Sequence, residues 1–497
     1  MAGPTALDST HATPAPPRGP AGSPAEGPGG GHGARPDALE LVLLALALVV
    51  GLLRFVRLGR WSLWFDEVLT WGDAHGTLGG VTNDVGYVLV RWTVDALGGE
   101  PTEAALRLLP AVAGFLAIPA TCWAFRPLAG GRRAALAALV VAVSAWQLQW
   151  SQTARFYTLV QLTALVGAGV TVRGALAGSW LRAALGIAVA GAGVLFHLSG
   201  AICAAAIGGA LLFAPPDAAA RVRRASRAAF FVFAVPGALA IPFVWGAWSS
   251  YRAEKRIEDP LSGLSHFALS TGSYVTPALG AFAVAAALLL IVRRDRPGLF
   301  ALLVPVLGGA ALAVAATLAT VSAQYAFVLF PWIALVAAWP MGLDAQGRAR
   351  AAPAALALAL VLPQLAESML YLTVQGGQRP RWREAVELVA QRRAPGDRVL
   401  SLPASVTEFY LTGGRETDVR RADSVVRLDG FQARPYETWA REGRRMWFVL
   451  RMDYLNSFRP EDRARLLRFL AEECRLVERF PVLVEGRDLS IEVWRSP

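Results

Sequence analysis

The sequence contains a single lysine, Lys255, in 497 residues, so arginine carries nearly all of its positive charge. Charge of either sign is scarce, at 17% of residues against about a quarter in a soluble domain. Cysteine is scarcer still. Cys122 and Cys203 fall inside apolar runs and Cys474 stands alone, which excludes a disulfide framework and a thiolate metal site. No glycine-rich phosphate loop and no dinucleotide-binding glycine pattern occurs, so neither kind of nucleotide site is expected. No stretch interleaves basic and aromatic residues, and nucleic acid is not an expected partner.

Apolar sequence is abundant. Hydrophobic residues make up 55% of the chain, and its mean hydropathy is +0.42. Runs of about 20 apolar residues recur, each long enough to cross a bilayer core. The expected fold class is a polytopic α-helical membrane protein with about eleven transmembrane helices. The spans are expected near 39–57, 103–125, 133–150, 156–172, 180–197, 199–214, 229–248, 276–292, 298–319, 324–342 and 353–373. Residues 1–37 are rich in Pro, Gly and Ala and read as a disordered cytoplasmic tail. The run from about Leu39 then reads as a retained signal anchor. The net charge of +11 speaks to topology.

Arginine placement sets the expected orientation. With the tail inside, the short inner loops at 126–133, 172–182, 215–227, 293–297 and 342–350 are all basic. The outer loops are then 58–102, 151–155, 197–200, 249–275 and the turn near Ser322. Arg54, Arg57 and Arg60 run against this rule. An odd number of spans leaves the C-terminus outside. The membrane module is expected over 38–375, with 58–102 as its first outer loop. From 379 to 497 the texture changes. "RWREAVELVAQRR" and "PEDRARLLRFLAEECRLVERF" have helical period, whereas "DRVLSLP", "RRMWFVLR" and "LSIEVWR" read as buried strands. A small extracytoplasmic α/β domain is expected there.

This topology gathers unusual polar residues on the outer side. Asp66 and Glu67 stand in the first outer loop, within "WFDEVLTW", and Arg107 lies near the outer end of the second span. Gln152, Arg155 and Tyr157 lie at the third-to-fourth turn, His197 at the fifth-to-sixth, and Gln324 and Tyr325 open the tenth span. Acids facing arginines in a cleft can deprotonate an acceptor hydroxyl or amine, or ligate a metal. Arginine suits a phosphate leaving group because its planar fork donates two hydrogen bonds. Each residue also has a plainer reading. An Asp-Glu pair is commonly solvated surface or a helix cap, and Arg155 can snorkel. His197 can serve as a satisfied hydrogen-bonding group, and Trp64, Trp71, Trp92 and Trp150 can form an interfacial belt.

"WFDEVLTW" resembles the acidic first-loop motif of polyprenyl-phosphate-dependent glycosyltransferases of the GT-C fold, a superfamily that includes protein O-mannosyltransferases and aminoarabinose transferases. "SQTARFYTL" is similar to its Ser-Gln, Arg-x-Tyr pattern. "LFHLSG" resembles its His-Tyr-x-Gly turn, with Leu198 where Tyr is usual. "RPRWREAVELVAQRRAPGD" resembles the start of the external domain of bacterial members. The resemblance spans roughly 40–400. It implies transfer of a sugar from a polyprenyl-phosphate donor to an envelope glycan, lipid or protein acceptor at the outer face of the bacterial cytoplasmic membrane. It makes Asp66, with Glu67 beside it, the general base or the metal-binding acid, the cation being Mg or Mn if one is used. It puts Arg155, Arg107, Tyr157 and Gln152 near the donor phosphate. The His-Pro-Pro-x-Tyr-Tyr stretch of many members is replaced by "TNDVGYVLVRW", where Asp84 and Tyr87 join the cleft, and Gln324-Tyr325 stands where Arg-Tyr is common. Two other readings remain: a scaffold that binds lipid-linked sugars without transfer, and a lipid or sugar flippase. A flippase would carry ionisable residues deep inside its spans, and few are found there.

Overall fold

The computed structural model describes residues 35–76, 82–257, 259–342, 351–414, 425–428, 435–484 and 487–497. Most of the expected N-terminal tail, through residue 34, lies outside them. The chain runs through α1 (Ala38–Gly51), α2 (Phe65–His75), α3 (Asp84–Ala96), α4 (Glu103–Ala129), α5 (Gly131–Val143), α6 (Ala145–Ser151), α7 (Tyr157–Leu176), α8 (Trp180–Gly191) and α9 (Ser199–Phe213). It continues through α10 (Ala220–Glu254), α11 (Pro260–Gly272), α12 (Pro277–Arg293), α13 (Arg296–Ala316), α14 (Phe330–Ala338) and α15 (Ala351–Thr373). Every expected span falls on one or two of these helices.

By length and composition, six helical segments among the described residues can cross a membrane, or eight if each of two bent pairs is one span. The other three expected spans lie on shorter apolar helices, Trp180–Leu195, Ser199–Phe213 and Phe327–Met341. The count of about eleven therefore exceeds what length alone supports, because these three are short against a core of about 30 Å.

One bent pair shapes the site. The apolar run 133–150, read as a single span, breaks by 63° between α5 and α6. Ser144 at the break is extended, and its hydroxyl caps α6 by accepting from the Gln147 N–H. The carbonyls released at the end of α5 are recaptured by side chains. Arg54 donates to the oxygens of Val141 (3.0 Å) and Ala142 (3.2 Å), and Ser368 of α15 donates to Val143 O (2.7 Å). Freed carbonyls at this depth need such partners. The break aims α6 so that the turn after it, 152–156, meets the N-terminal end of α2.

After α15 the chain turns tightly at Gly377, whose φ of +65° favours glycine and where a Cβ would lie 2.5 Å from the Trp61 ring. It then forms α16 (Trp382–Arg392), β1 (Arg398–Leu402), α17 (Ala404–Thr412), β2 (Val425–Arg427), α18 (Pro435–Arg441), β3 (Met446–Arg451), α19 (Pro460–Glu473), β4 (Arg475–Phe480), β5 (Leu483–Val484), β6 (Arg487–Asp488) and β7 (Ile491–Arg495). The main sheet has the order β2-β1-β3-β7-β4, with β1 parallel to β2 and β3, and β7 antiparallel to β3 and β4. The three stretches read as strands are β1, β3 and β7. Alternation divides the faces. Val399, Val449, Ile491 and Val493 pack with Trp382 and Val389, in a cluster that also takes in Leu63, Val68 and Trp71 of the α2 region. Leu400, Phe448 and Leu450 pack on Leu466 and Leu470 of α19.

Candidate functional site

The first turn of α2 holds Asp66 and Glu67, where the helix dipole favours carboxylates. The two adjacent acids point into different surroundings. Glu67 is fully buried and engaged on both oxygens. Arg107 of α4 grips it with two hydrogen bonds, Nε to Oε1 at 2.7 Å and Nη2 to Oε2 at 2.8 Å. The Ala154 N–H donates to Oε1 (2.9 Å) and the Trp64 N–H to Oε2 (3.2 Å). Arg379 adds a third positive approach, its Nε 3.6 Å from Oε2, while its Nη2 donates to Thr153 Oγ1 and its guanidinium lies 5.2 Å from the Trp64 ring centre. Burial alone would raise the pKa of Glu67. The charge and hydrogen bonds of Arg107, with the charge of Arg379, outweigh it and hold the carboxyl below its ordinary value.

Asp66 is different. It is half-buried, and its carboxylate makes no hydrogen bond among the described residues. The cation whose charge it faces is Arg155, in the same 152–156 turn that Glu67 anchors. Burial works against the charge on Arg155, but Asp66 outweighs it and raises the pKa of the guanidinium. No ion pair joins the two; Arg155 Nη1 instead donates to Thr70 Oγ1 at 3.1 Å. Aromatic groups line the same side. The Tyr157 ring meets Trp150 edge-on at 4.6 Å and lies 4.9 Å from His197. His197 stacks on Tyr325 at 5.2 Å and 16°. The Tyr325 hydroxyl donates to the Tyr251 hydroxyl (3.2 Å), which donates to Thr320 O. The Ser199 N–H donates to His197 Nδ1 (3.1 Å), so a neutral imidazole carries its proton on Nε2.

Several residues expected in the cleft are committed elsewhere. Arg107 spends its remaining donors on the carbonyls of Leu58, Trp61 and Ser62, so no N–H is left to reach a donor phosphate. Gln152 is buried and donates to the carbonyls of Leu53, Arg54 and Val56, which ties the turn to the end of the first span. Glu67, filled by Arg107, has no free lone pair for a base. Tyr87 donates to Asp73 Oδ2 (3.1 Å) and meets Phe156 edge-on at 5.3 Å. Asp84 opens α3 after Asn83, whose φ is +74°, and is half-buried. Gln324 is half-buried and adjoins Tyr325 in the chain. A cation shared by Asp66 and Glu67 does not fit this arrangement, because arginines and N–H groups face Glu67. Among the described residues no group of three or more His, Cys, Asp or Glu is placed to hold a metal.

The sequence reading missed Thr70, Arg379 and Tyr251. Thr70 follows Asp66 by four residues and shares its helical face, a signal that was available. Arg379 opens the "RPRWREAVELVAQRRAPGD" stretch, but nothing there pairs it with Glu67, and Tyr251 carries no local signal.

No family model matches the sequence, and no curated protein matches it. Among solved structures it is similar to the oligosaccharyltransferase of Archaeoglobus fulgidus in complex with zinc and sulfate, at 12% identity over 83% of this chain and 68% of that one, with a TM-score of 0.52. The AglB oligosaccharyltransferase of the same organism, in complex with an inhibitory peptide and a dolichol-phosphate, aligns at 12% identity over 84% of this chain and 70% of that one, with a TM-score of 0.51. This chain has the GT-C fold. ArnT from Cupriavidus metallidurans in the apo state aligns over 92% of this chain and 97% of that one at 14% identity, with a TM-score of 0.48.

Proposed function

We propose that the protein is an inverting glycosyltransferase that moves a sugar from a polyprenyl-phosphate donor to an acceptor at the outer face of the bacterial cytoplasmic membrane. The observation that carries this reading is the half-buried Asp66 carboxylate, free of hydrogen bonds among the described residues and set against Arg155. The GT-C fold supports it as an analogy. A dolichol-phosphate is bound by the AglB relative, which makes a lipid phosphate a reasonable donor here.

In this reading Asp66 accepts the proton of an acceptor hydroxyl or amine as that atom attacks the anomeric carbon. The bond from that carbon to the phosphate oxygen breaks, and the electron pair leaves with the polyprenyl phosphate. Arg155 meets the charge that develops on the phosphate. Tyr157, His197 and Tyr325 form an aromatic wall beside the guanidinium, suited to the faces of a sugar ring. Glu67 and Arg107 then act indirectly, by fixing α2 against the turn that carries Arg155. The N-terminal tail is cytoplasmic and residues 379–497 are extracytoplasmic, and the acceptor is an envelope glycan, lipid or protein.

The test is to incubate the purified protein with a panel of polyprenyl-phosphate sugars and candidate acceptors, and to measure release of polyprenyl phosphate. Release that depends on the sugar and on Asp66 supports transfer. Binding without release supports the scaffold reading, and movement of the intact donor across vesicles supports a flippase.

A further inference from the structure

We propose that Thr70 is a positioning residue that holds the Arg155 guanidinium off the Asp66 carboxylate and so keeps its remaining donors open to phosphate. The inference rests on the proposed roles of Asp66 and Arg155. Thr70 is fully buried one helical turn after Asp66. Its single hydroxyl proton is donated to the carbonyl oxygen of Asp66 at 3.0 Å. The hydroxyl oxygen can therefore only accept from Arg155, and it does so from Nη1 at 3.1 Å. This is the only side-chain hydrogen bond of Arg155 among the described residues.

The neighbourhood makes the contact consequential. Tyr157, Tyr87 and Tyr325 face the guanidinium, and His197 feels its charge. None of these is anionic at neutral pH, so Asp66 is the one carboxylate among its principal electrostatic partners. A partly buried cation and anion without hydrogen bonds attract strongly where water is scarce. Without the threonine oxygen, Arg155 keeps no side-chain hydrogen bond among the described residues, and Asp66 is the carboxylate whose charge acts on it most strongly. A closed ion pair would consume the donors that a phosphate needs, and it would also occupy the base. Thr70 thus separates two opposite charges that would otherwise neutralise one another.

The decisive measurement is a double-mutant cycle on the full-length protein in lipid nanodiscs, with undecaprenyl phosphate as the probe. Thr70→Val keeps the shape and removes the acceptor. Its binding should weaken about tenfold in the wild-type background, or about 1.4 kcal/mol. In the Asp66→Asn background the same change should cost about twofold or less, because no carboxylate remains to capture Arg155. Thr70→Ser should bind close to the wild-type level. Thr70→Ala serves in the same cycle if the valine variant does not fold. Equal losses in both backgrounds, or no loss in either, overturn the inference, since simple packing does not depend on the Asp66 charge. Arg155→Ala is measured alongside. If it binds the probe as tightly as the wild type, the donor-phosphate reading itself fails; if it binds weakly and the cycle shows no coupling, only the role of Thr70 fails.

Discussion

Glu67 and Arg107 meet side-on in a bidentate ion pair with neither side chain exposed to solvent. Removing one partner from such a pair leaves an uncompensated buried charge, at a cost of about 3–5 kcal/mol. Glu67→Gln is therefore expected to lower thermal stability in detergent strongly, as is Arg107→Ala. A paired change to apolar residues, Glu67→Leu with Arg107→Met, should recover part of the loss. Unfolding followed by intrinsic fluorescence checks both statements.

The same pair gives a pH dependence with a definite sign. Burial raises the Glu67 pKa, but the charge and hydrogen bonds of Arg107, with the charge of Arg379, outweigh it, so the folded value is lower than that of an unperturbed glutamate. A carboxyl of that kind stabilises the fold above its unfolded pKa, and the contribution is lost as pH falls through the folded value. Stability should be level near neutrality and decline below about pH 4.5. The Glu67→Leu, Arg107→Met protein should show a shallower decline when the two are scanned side by side.

Asp66→Asn keeps shape and removes the base. Transfer is expected to fall by about 10²-fold or more. Folding should be unaffected, because the Asp66 carboxylate holds no hydrogen bond among the described residues. Full activity in a well-folded Asp66→Asn protein, with Asp84→Asn inactive, would move the base to α3.

Arg155→Ala should weaken binding of the donor by about 1.5–3 kcal/mol, the scale of hydrogen bonds to charged groups. Arg155→Lys should restore only part, since an ammonium cannot present the planar fork. Affinity for a polyprenyl phosphate, measured in nanodiscs, separates these cases.

Orientation is tested by a reporter. A phosphatase fused after Pro497 should be active when expressed in a bacterium, and a cytoplasmic reporter at the same point should be silent. The reverse result would put Asp66 and the sheet on the inner face.

The membrane helices were legible because an apolar run needs no partner to be recognised. The break between α5 and α6 was not, since "AALVVAVSAWQLQW" contains neither proline nor glycine. It is held by Arg54 and Ser368, which lie far away in the chain. Sequence singled out Asp66 and Glu67 together, but it could not tell that Glu67 would be buried against Arg107 while Asp66 stays half-exposed. Adjacent residues on a helix point about 100° apart, and what each meets depends on α4 and on the turn after α6. Arg107 was expected beside the donor phosphate and is instead paired with Glu67, because a buried guanidinium and a phosphate-binding one read alike in one dimension.

Arg379 reaches Glu67 from beyond the last apolar helix. During synthesis, α2 and α4 emerge and can pair long before residue 379 leaves the ribosome. The knot beneath Asp66 can close only after every helix through Thr373 has been made. An unfinished chain in the membrane therefore carries Asp66 and Arg155 without the full set of contacts that fixes the turn between them. The last arginine to arrive ties completion of the polypeptide to assembly of its site.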